Sequence, residues 1–314
     1  MKTKFFIQAA IFFATILTIS SCRKPDKTLI YVEQIVPQIE FALYEITDAL
    51  EGKTISYELT ESKNADIIIE IDPNSSDLQA EGFKLTRDKG VIRVTGADPA
   101  GAMYGGLELA EQIKIAGLDG VTEQHQNPYM ERRGTKFNIP LDVRTPSYTD
   151  VSDVAQKNIA EMWNWQFWRS FLDKMALHRY NTLTLWNPHP FPSMIKLEDY
   201  PEVALDDVCV TTLKPLGMEN EWGDPGLVAT NVIENLRVVK KISIDEKIIF
   251  WKKVMRYAKH RGIDVYFINW NLCPNSVAKP VPPFYKTYGI NLEGKQHPGK
   301  HGITYELDNP CLLY

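Results

Sequence analysis

The chain has 314 residues, of which 44% are hydrophobic and 24% are charged, and its formal net charge at pH 7 is -5. This composition indicates a globular protein with room for about two domains and excludes fibrous, collagen-like and broadly disordered chains. Nucleic-acid-binding proteins usually carry a basic surface, so we expect no nucleic acid partner. Neutral small molecules or glycans fit this charge better.

Residues 1–21 predict a lipoprotein signal peptide, with Lys2 and Lys4 at a positively charged start. Residues 5–19 are apolar but fall short of the roughly 20 residues that a membrane-spanning helix needs. The run ends in Ile-Ser-Ser-Cys, which resembles the bacterial lipobox and identifies Cys22 as the expected lipidation site. An ordinary signal peptide followed by a chance cysteine is the alternative. We expect an exported lipoprotein, anchored in a bacterial membrane and facing the periplasm or the outer surface.

Three cysteines remain after Cys22, namely Cys209, Cys273 and Cys311. An odd number, without Cys-x-x-Cys or histidine-rich spacing, disfavours both a disulfide framework and a zinc site. We therefore expect free thiols, no metal and no cofactor.

The first predicted element after the signal is an amphipathic helix over residues 29–50, where apolar side chains recur every three or four positions. Four short strands follow, at residues 55–59, 66–71, 82–86 and 90–95. The last two are separated by a short turn-like segment, which predicts a hairpin.

A second helix is predicted over residues 98–113. Asp98 suits its N-cap and Pro99 its first position. Three glycines are costly inside a helix unless they allow it to lie close on a sheet: Gly101, Gly105 and Gly106. We expect residues 22–125 to form an α+β sandwich domain, a sheet covered by helices on one side.

A polar, helix-poor connection over residues 118–133 predicts a domain boundary, and residues 126–314 form the second predicted domain. Its elements are a strand at 134–142, a helix at 165–178 that Asn181 ends in a left-handed turn, and a strand at 182–186. An insertion over 187–242 comes next, and a helix then opens with the capping-box pair Ser243 and Glu246 and closes at Gly262. Its predicted inner face consists of Ile248, Trp251, Met255 and Ala258. A third strand follows at 263–271. Short apolar strands alternating with helices predict a parallel sheet, and either a barrel or an open sheet begins this way.

Polar and aromatic residues follow each of these strands. Ligands of parallel α/β folds bind at the carboxyl ends of the strands, where the loops converge. Indole faces stack on sugar rings, while Asn, Asp and Arg side chains bind hydroxyls or carboxylates. Asn138 ends the first strand, and prolines at 188, 190 and 192 stiffen the loop after the second. The candidate substrate-binding residues are Asp142, Arg144, Trp186, Asn187, His189, Asn269, Trp270 and Asn271. Taken singly, a Trp after a strand is more typical of packing, and a lone His of a structural hydrogen bond, than of ligand binding; three consecutive strands that end alike make the two interpretations equally typical.

Residues 65–113 resemble the small α+β domain that precedes the barrel in beta-hexosaminidases of glycoside hydrolase family 20 and in alpha-glucuronidases. The resemblance rests on the Ala-Asp-Ile strand, the Glu-Gly-Phe hairpin and the Gly-Ala-Met-Tyr-Gly-Gly helix start. Residues 132–144, 171–186 and 254–268 are similar, in order, to the barrel's first strand, first helix with second strand, and second helix with third strand. The resemblance covers residues 30 to 275. It implies an α/β protein: an N-terminal α+β sandwich domain followed by a partial (β/α)8 TIM barrel.

The resemblance also implies roles for individual residues. Arg144 occupies the position of the family's sugar-binding arginine. The family's His-Asp pair after the second strand is replaced by Trp-Asn-Pro-His-Pro-Phe, which leaves uronic acids or other sugars open as substrates. The family's catalytic Asp-Glu pair follows a fourth strand, and the one adjacent Asp-Glu here, Asp245 and Glu246, opens a helix as a cap. With three of eight strands recognised, we expect a truncated barrel, no identifiable catalytic residues and little or no activity as given.

These features predict an exported, lipid-anchored glycoside hydrolase fragment that acts on glycosidic bonds of polysaccharides or glycans. The alternative is a non-catalytic surface glycan-binding lipoprotein, in which the Trp and Asn side chains bind sugar and nothing is cut. A structural or assembly lipoprotein, with the aromatic loops as packing, is a third interpretation.

Overall fold

The N-terminal part of the chain forms a mixed six-stranded sheet. The computed structural model describes residues 27–144, 153–187, 191–198, 201, 204–213, 232 and 234–268, so the predicted signal peptide and Cys22 lie outside the described residues. The strands are β1 (Thr28–Val32), β2 (Tyr57–Thr60), β3 (Ile67–Ile71), β4 (Phe83–Asp88), β5 (Val91–Gly96) and β6 (Gln124–Gln126), in the order β2-β1-β3-β5-β4-β6. Strands β2, β1, β3 and β5 are parallel, whereas β4 is antiparallel to both β5 and β6.

Two helices pack on this sheet, α1 (Pro37–Gly52) and α2 (Pro99–Ala116). Their buried residues form one core with the sheet, including Ile39, Ile46, Leu50, Leu109 and Ile113 from the helices and Ile67, Ile69, Leu85 and Val94 from the strands. The predicted α+β unit is therefore confirmed.

Helix α2 lies very close to its neighbours because of its glycines. Its N-cap is Asp98, which accepts a hydrogen bond from the Gly101 backbone N–H at 2.8 Å, and Pro99 is its first residue. A Cβ atom at Gly105 would lie 2.7 Å from Val94 Cγ1, and one at Gly106 would lie 2.7 Å from the Cβ of Ala42 in α1. The glycines thus allow the close approach that the sequence predicted.

One prediction for this part was wrong. The helix expected from Leu29 starts only at Pro37, because residues 28–32 are a β-branched and aromatic run that forms the parallel strand β1. The connection predicted over 118–133 contains a short 3-10 helix, Leu118–Gly120, and the edge strand β6, which extends the first sheet through Gln126.

The second part of the chain contains three parallel strands, β7 (Gly134–Asn138), β8 (Thr182–Trp186) and β11 (Asp264–Ile268), in the order β11-β8-β7. Their ends are level, since Asn138 pairs with Trp186 and Trp186 with Ile268. Among the described residues of this part, the helices are α3 (Asp153–Met162), α4 (Trp165–Leu177), α5 (Phe191–Met194) and α6 (Ile244–His260). Three neighbouring strands in chain order are what a (β/α)8 barrel begins with, and the barrel itself stays a prediction.

The predicted insertion contains a further sheet. Strands β9 (Asp207–Thr211) and β10 (Leu236–Lys241) pair antiparallel there, and the sequence analysis had assigned neither. Helix α3 was also not predicted.

Three buried indoles lie at the centre of this second core: Trp163, Trp168 and Trp251. The ring centroids of Trp168 and Trp251 are 5.2 Å apart, and those of Trp163 and Trp251 are 5.9 Å apart, both edge-on. Trp163 Nε1 donates to the Leu141 carbonyl at 2.9 Å, which fixes the segment after β7 onto this core.

Two details of the helices differ from expectation. The left-handed residue after α4 is Arg179, with φ 61°, rather than Asn181, whose side chain instead accepts from the Arg133 N–H at 2.8 Å. Helix α6 has the predicted capping box and ends at His260, and Gly262, with φ 68°, turns the chain just beyond it. Its buried stripe, however, contains Lys247 and Val254 in place of Ile248 and Met255. Within the described ranges, no helix has the length and apolar character to cross a membrane.

Candidate functional site

Asn187 joins the carboxyl ends of the three parallel strands. Its Nδ2 donates to the Ile139 carbonyl at 2.6 Å, and its backbone N–H donates to the Ile268 carbonyl at 3.2 Å. The Ile139 N–H in turn donates to the Trp186 carbonyl at 3.0 Å. Asn187 is completely buried, so its amide holds the strand ends together.

Asp142 and Arg144 form a buried ion pair directly after β7. Arg144 Nε donates to Asp142 Oδ1 at 2.7 Å and Arg144 Nη2 donates to Asp142 Oδ2 at 2.8 Å, which is a bidentate pair. The Arg144 backbone N–H also donates to Asp142 Oδ1 at 2.9 Å. Asp142 is 0% exposed and Arg144 8% exposed. The two residues therefore close a tight turn on themselves.

Strand β9 completes this cluster from the insertion. Arg144 Nη2 donates to Asp207 Oδ1 at 2.5 Å, and the Cys209 backbone N–H donates to Asp142 Oδ2 at 2.8 Å. The Val143 N–H donates to the Cys209 carbonyl at 3.1 Å. We call Asp142, Arg144, Asp207, Cys209 and Lys247 the strand-end cluster.

Lys247 enters the cluster from helix α6. Its Nζ donates to the carbonyls of Leu205 and Asp207, each at 2.7 Å, and the residue is 0% exposed. Burial lowers the pKa of Lys247 from 10.5 to about 8, and the positive charge of Arg144 acts in the same direction, against the opposing charges of Asp142 and Asp207. Because of this loss of hydration, the pKa of the Lys247 ammonium lies close to physiological pH.

The electrostatics of the other members follow from the same packing. Burial alone would lower the pKa of Arg144, but hydrogen bonds and charge from Asp142 and Asp207 outweigh it, so the pKa is raised. Burial raises the pKa of the Cys209 thiol to about 11, and the Asp142 charge adds to that shift. Arg144 is therefore charged and Cys209 is a neutral thiol at physiological pH.

The cluster is poorly suited to a metal ion. Asp142, Asp207 and Cys209 each offer one ligand atom, all within 4.8 Å of one another. Both oxygens of Asp142 already accept from Arg144 and Cys209, and two cationic side chains adjoin the three donors. A divalent cation would displace these hydrogen bonds and face two positive charges.

The cluster is equally poorly suited to glycosidic cleavage. That reaction needs two carboxyl groups flanking the bond, one of them protonated at working pH. Both Asp142 and Asp207 are ion-paired with Arg144, and Asp142 has no contact with solvent, so neither side chain is free to flank a glycosidic bond. The geometry instead clamps the insertion onto the end of β7.

Trp186 ends strand β8 and is 4% exposed. The ammonium of Lys136, from β7, lies 4.9 Å from the centre of its ring, a cation–π contact. A sugar stacked on this indole would take the place of Lys136. Stacking on Trp186 stays a prediction.

The structure brings four of the predicted site residues to the carboxyl ends of the parallel strands: Asp142, Arg144, Trp186 and Asn187. The other four, His189, Asn269, Trp270 and Asn271, lie outside the described residues. Sequence reasoning missed Asp207 and Lys247. The sequence signal for Asp207 was the apolar run Val-Cys-Val that follows it and predicts a strand. The signal for Lys247 was its helical spacing to Trp251, Val254 and Ala258, which places it on the buried face of α6.

The chain has an α+β unit followed by parallel strand–helix units, with ion-paired side chains at the strand ends. It is therefore an α/β protein, a class that includes barrel enzymes. No family model matches this sequence, and no curated protein matches it. Among solved structures, the chain is similar to a GH138 enzyme targeting pectin rhamnogalacturonan II, with a TM-score of 0.57 and 22% identity over 86% of this chain and 27% of that chain.

Two further solved structures are more distant. A beta-N-acetylhexosaminidase from Bacteroides fragilis matches with a TM-score of 0.42 and 16% identity, over 77% of this chain and 40% of that chain. A GH115 4-O-methyl-alpha-glucuronidase with specificity for decorated arabinogalactans matches with a TM-score of 0.38 and 18% identity, over 51% of this chain and 25% of that chain. The likeness of fold to a glycoside hydrolase, expected from the sequence, is confirmed by the GH138 enzyme. The chain spans about a quarter of the GH138 enzyme's length.

Proposed function

We propose that the protein is a glycoside hydrolase that binds a polysaccharide or glycan at the carboxyl ends of its parallel strands. The observation that carries this proposal is the likeness to the GH138 enzyme, which extends over 86% of this chain and therefore into both the six-stranded and the three-stranded sheet. Fold alone does not specify chemistry, so the site must supply the rest of the argument.

The strand ends support sugar binding by their position and residue types. Strands β7, β8 and β11 end at the same level, so the loops that follow them leave from one edge of the sheet. Trp186 is at that edge, and His189, Asn269, Trp270 and Asn271 follow it in the sequence. Aromatic faces with amide groups around them are typical of carbohydrate sites.

Catalysis by this protein requires carboxyl groups other than those of the strand-end cluster. Asp142 and Asp207 are both ion-paired with Arg144, and the proposal gives them a positioning role. Because both carboxylates of the cluster are already ion-paired, a second candidate function is a glycan-binding lipoprotein that does not cleave its ligand. The two candidates share the site and differ in whether a glycosidic bond breaks.

Hydrolysis is tested on the polypeptide as the cell makes it. The substrates are pectic oligosaccharides, aryl glucuronides and aryl N-acetylhexosaminides, with release of reducing ends or phenol as the readout. Release from one of these classes supports the hydrolase. Binding without release, measured by calorimetry, supports the glycan-binding protein, and neither binding nor release overturns both.

The site is tested by Trp270→Ala, which we expect to weaken sugar binding by about 1–3 kcal/mol through lost stacking. The matched control is Trp165→Ala, because Trp165 is half-buried on α4 and packs against Lys253 and Tyr257 of α6. Equal affinities of the two variants would exclude a site at the carboxyl edge.

We further propose that the protein is exported and anchored by a lipid on Cys22. Support comes from the charged start, the apolar run and the Ile-Ser-Ser-Cys sequence of the first 22 residues. Cys22→Ala should move the protein from the membrane fraction to the soluble fraction, while Cys209→Ala should leave it in the membrane. Membrane association of Cys22→Ala equal to that of the unchanged protein would refute the anchor.

A further inference from the structure

A cavity lies between the six-stranded sheet and the amino ends of β7 and β8. Its volume is about 420 Å³, and strand β4, helix α2, strand β6 and the residues before β7 and β8 line it. Arg133 directly precedes β7, and Arg179 shortly precedes β8. The predicted sugar site is at the carboxyl ends of the same strands, so the two sites lie at opposite ends of the three-stranded sheet.

The charged side chains of this cavity are paired with one another. Arg133 Nη2 lies 2.5 Å from Glu81 Oε2, Arg179 Nη1 lies 2.8 Å from Glu111 Oε1, and Arg179 Nη2 lies 3.6 Å from Glu108 Oε2. Three glutamates against two arginines leave an excess of one negative charge in the lining. An anionic ligand would therefore be repelled.

The lining is also rigid. Arg133 Nε donates to the Arg179 carbonyl at 2.8 Å, and Asn181 Nδ2 donates to Glu81 Oε1 at 2.9 Å. Both Glu81 and Arg179 have positive φ, 64° and 61°, and they are two of the four non-glycine residues with this conformation in the described part of the chain. Backbone strain of this kind is concentrated at functional sites, where the surrounding structure fixes it.

Tyr104 contributes a buried hydroxyl group to the lining of this cavity. The residue is 2% exposed, it lines the cavity, and its hydroxyl has no hydrogen-bond partner among the residues that the structure describes. Buried hydroxyl groups are normally paired with protein or water. A ligand or a water that it anchors would supply the missing bond after a small movement of the side chain.

We propose that this cavity is a second carbohydrate site, which binds a neutral saccharide of one or two rings. Phe83, Tyr104 and Pro128 supply an apolar wall, and amide groups of Gln124 and Gln126 lie beside paired carboxylates and guanidinium groups. This alternation of donors and acceptors around an apolar wall matches the hydroxyls and C–H face of a sugar ring. The volume is within the usual range for small-ligand pockets.

The residues of this cavity lie at the other end of the sheet from the proposed sugar site, so binding here does not depend on the proposed hydrolase activity. It is tested by saturation-transfer NMR and calorimetry with three probes: cellobiose and N-acetylglucosamine, which are neutral, and glucuronic acid, which is anionic. The neutral sugars should bind more tightly than glucuronic acid, which the excess negative charge of the lining repels.

Two variants block the cavity from different sides, Gln126→Trp on strand β6 and Glu111→Trp on the half-exposed rim of α2. Each should weaken binding of the neutral sugar by at least about tenfold. His125→Trp is the matched control, since successive residues of a strand face opposite sides, and it should bind within about twofold of the unchanged protein. Urea midpoints of all variants check that each is folded.

Three results would overturn the assignment. No neutral probe binds at concentrations up to about 50 mM; both folded blocking variants bind as the unchanged protein does; or glucuronic acid binds as tightly as the neutral sugars. If the unchanged protein hydrolyses none of the substrates but still binds a neutral sugar in this cavity, the result counts against the hydrolase and leaves the cavity site standing.

Discussion

The buried ammonium of Lys247 gives the protein a specific dependence of stability on pH. Its pKa is lowered from 10.5 to about 8 because burial in the strand-end cluster removes water from the charge. In the unfolded chain the same group keeps its proton up to its ordinary pKa. Between pH 8 and 10.5 the unfolded state therefore binds more protons than the folded state, and the free energy of unfolding rises with pH.

The magnitude follows from the size of the shift. At 1.36 kcal/mol per pKa unit, the contribution of Lys247 amounts to about 3 kcal/mol. It is fully present above pH 10.5 and is lost as pH falls through 8. Cys209 acts with the opposite sign, because a thiol whose pKa is raised to about 11 contributes stability below its ordinary pKa of 9.0 that is lost as pH rises through 11.

The assay separates the two groups. Urea unfolding is followed by tryptophan fluorescence at pH 7, 8, 9, 10 and 10.5 for Cys209→Ala and for the double variant Cys209→Ala with Lys247→Met. Methionine keeps an unbranched side chain, one atom shorter than that of lysine, and removes the titration, while the Leu205 and Asp207 carbonyls lose a donor at every pH. The stability of the single variant should rise by about 3 kcal/mol relative to the double variant over this range. Parallel curves would refute the assignment of a lowered pKa to Lys247.

Three further predictions concern stability and are measured by the same unfolding assay at pH 7. Asp142→Asn leaves the Arg144 charge buried with one partner fewer and should cost about 3–5 kcal/mol, whereas Asp119→Asn, at an exposed pair 3.6 Å long, should change stability by less than about 1 kcal/mol; similar costs would show that the buried pair is not special. Gly106→Ala places a methyl group 2.7 Å from Ala42 Cβ and should cost about 1–3 kcal/mol of stability. Its control, Gly52→Ala, has nothing within 4 Å of the new methyl group and should be neutral or stabilising. A neutral Gly106→Ala would mean that α1 and α2 move apart at little cost. Tyr104→Phe removes a buried hydroxyl without a partner in the described residues and should stabilise the empty protein by about 1 kcal/mol; a loss of more than about 1 kcal/mol would reveal a bond to that hydroxyl.

Local chemistry explains which elements were predictable. The capping box at Ser243 and Glu246, the N-cap at Asp98 and the turn at Gly262 each act within a few residues, so the sequence marks α2 and α6 correctly. The hairpin of β4 and β5 is equally local, with Lys89 at φ 48° and Gly90 at φ 89° in its turn.

The elements that escaped prediction depend on distant partners. Strand β6 is Gln-His-Gln, which has no apolar alternation and is a strand because it pairs with the edge of β4. Strand β1 reads as a continuation of the helical stripe of α1, and its pairing with both β2 and β3 decides its conformation. Tertiary pairing here outweighs the local pattern.

The same distinction applies to the candidate site. Counting residues after each strand located Asp142, Arg144 and Asn187 correctly at the carboxyl edge, because strand ends in a parallel sheet are level. Their contacts were not predictable, since Asp207 is 63 positions from Arg144 and reaches it through a sheet that the sequence does not announce.

Arg144 also limits what this site can bind. The resemblance implied a sugar-binding arginine, yet Nε and Nη2 of Arg144 already donate to two carboxylates. A neutral hydroxyl competes poorly with either, because charge-assisted hydrogen bonds are about twice as strong as neutral ones. A ligand carboxylate is the chemical equal of Asp207, whose side chain is 29% exposed, whereas Asp142 is inaccessible. If Arg144 contacts a substrate at all, that substrate should carry a carboxylate and displace Asp207, and Asp207→Asn should then tighten the binding of uronic acids while leaving neutral sugars unchanged.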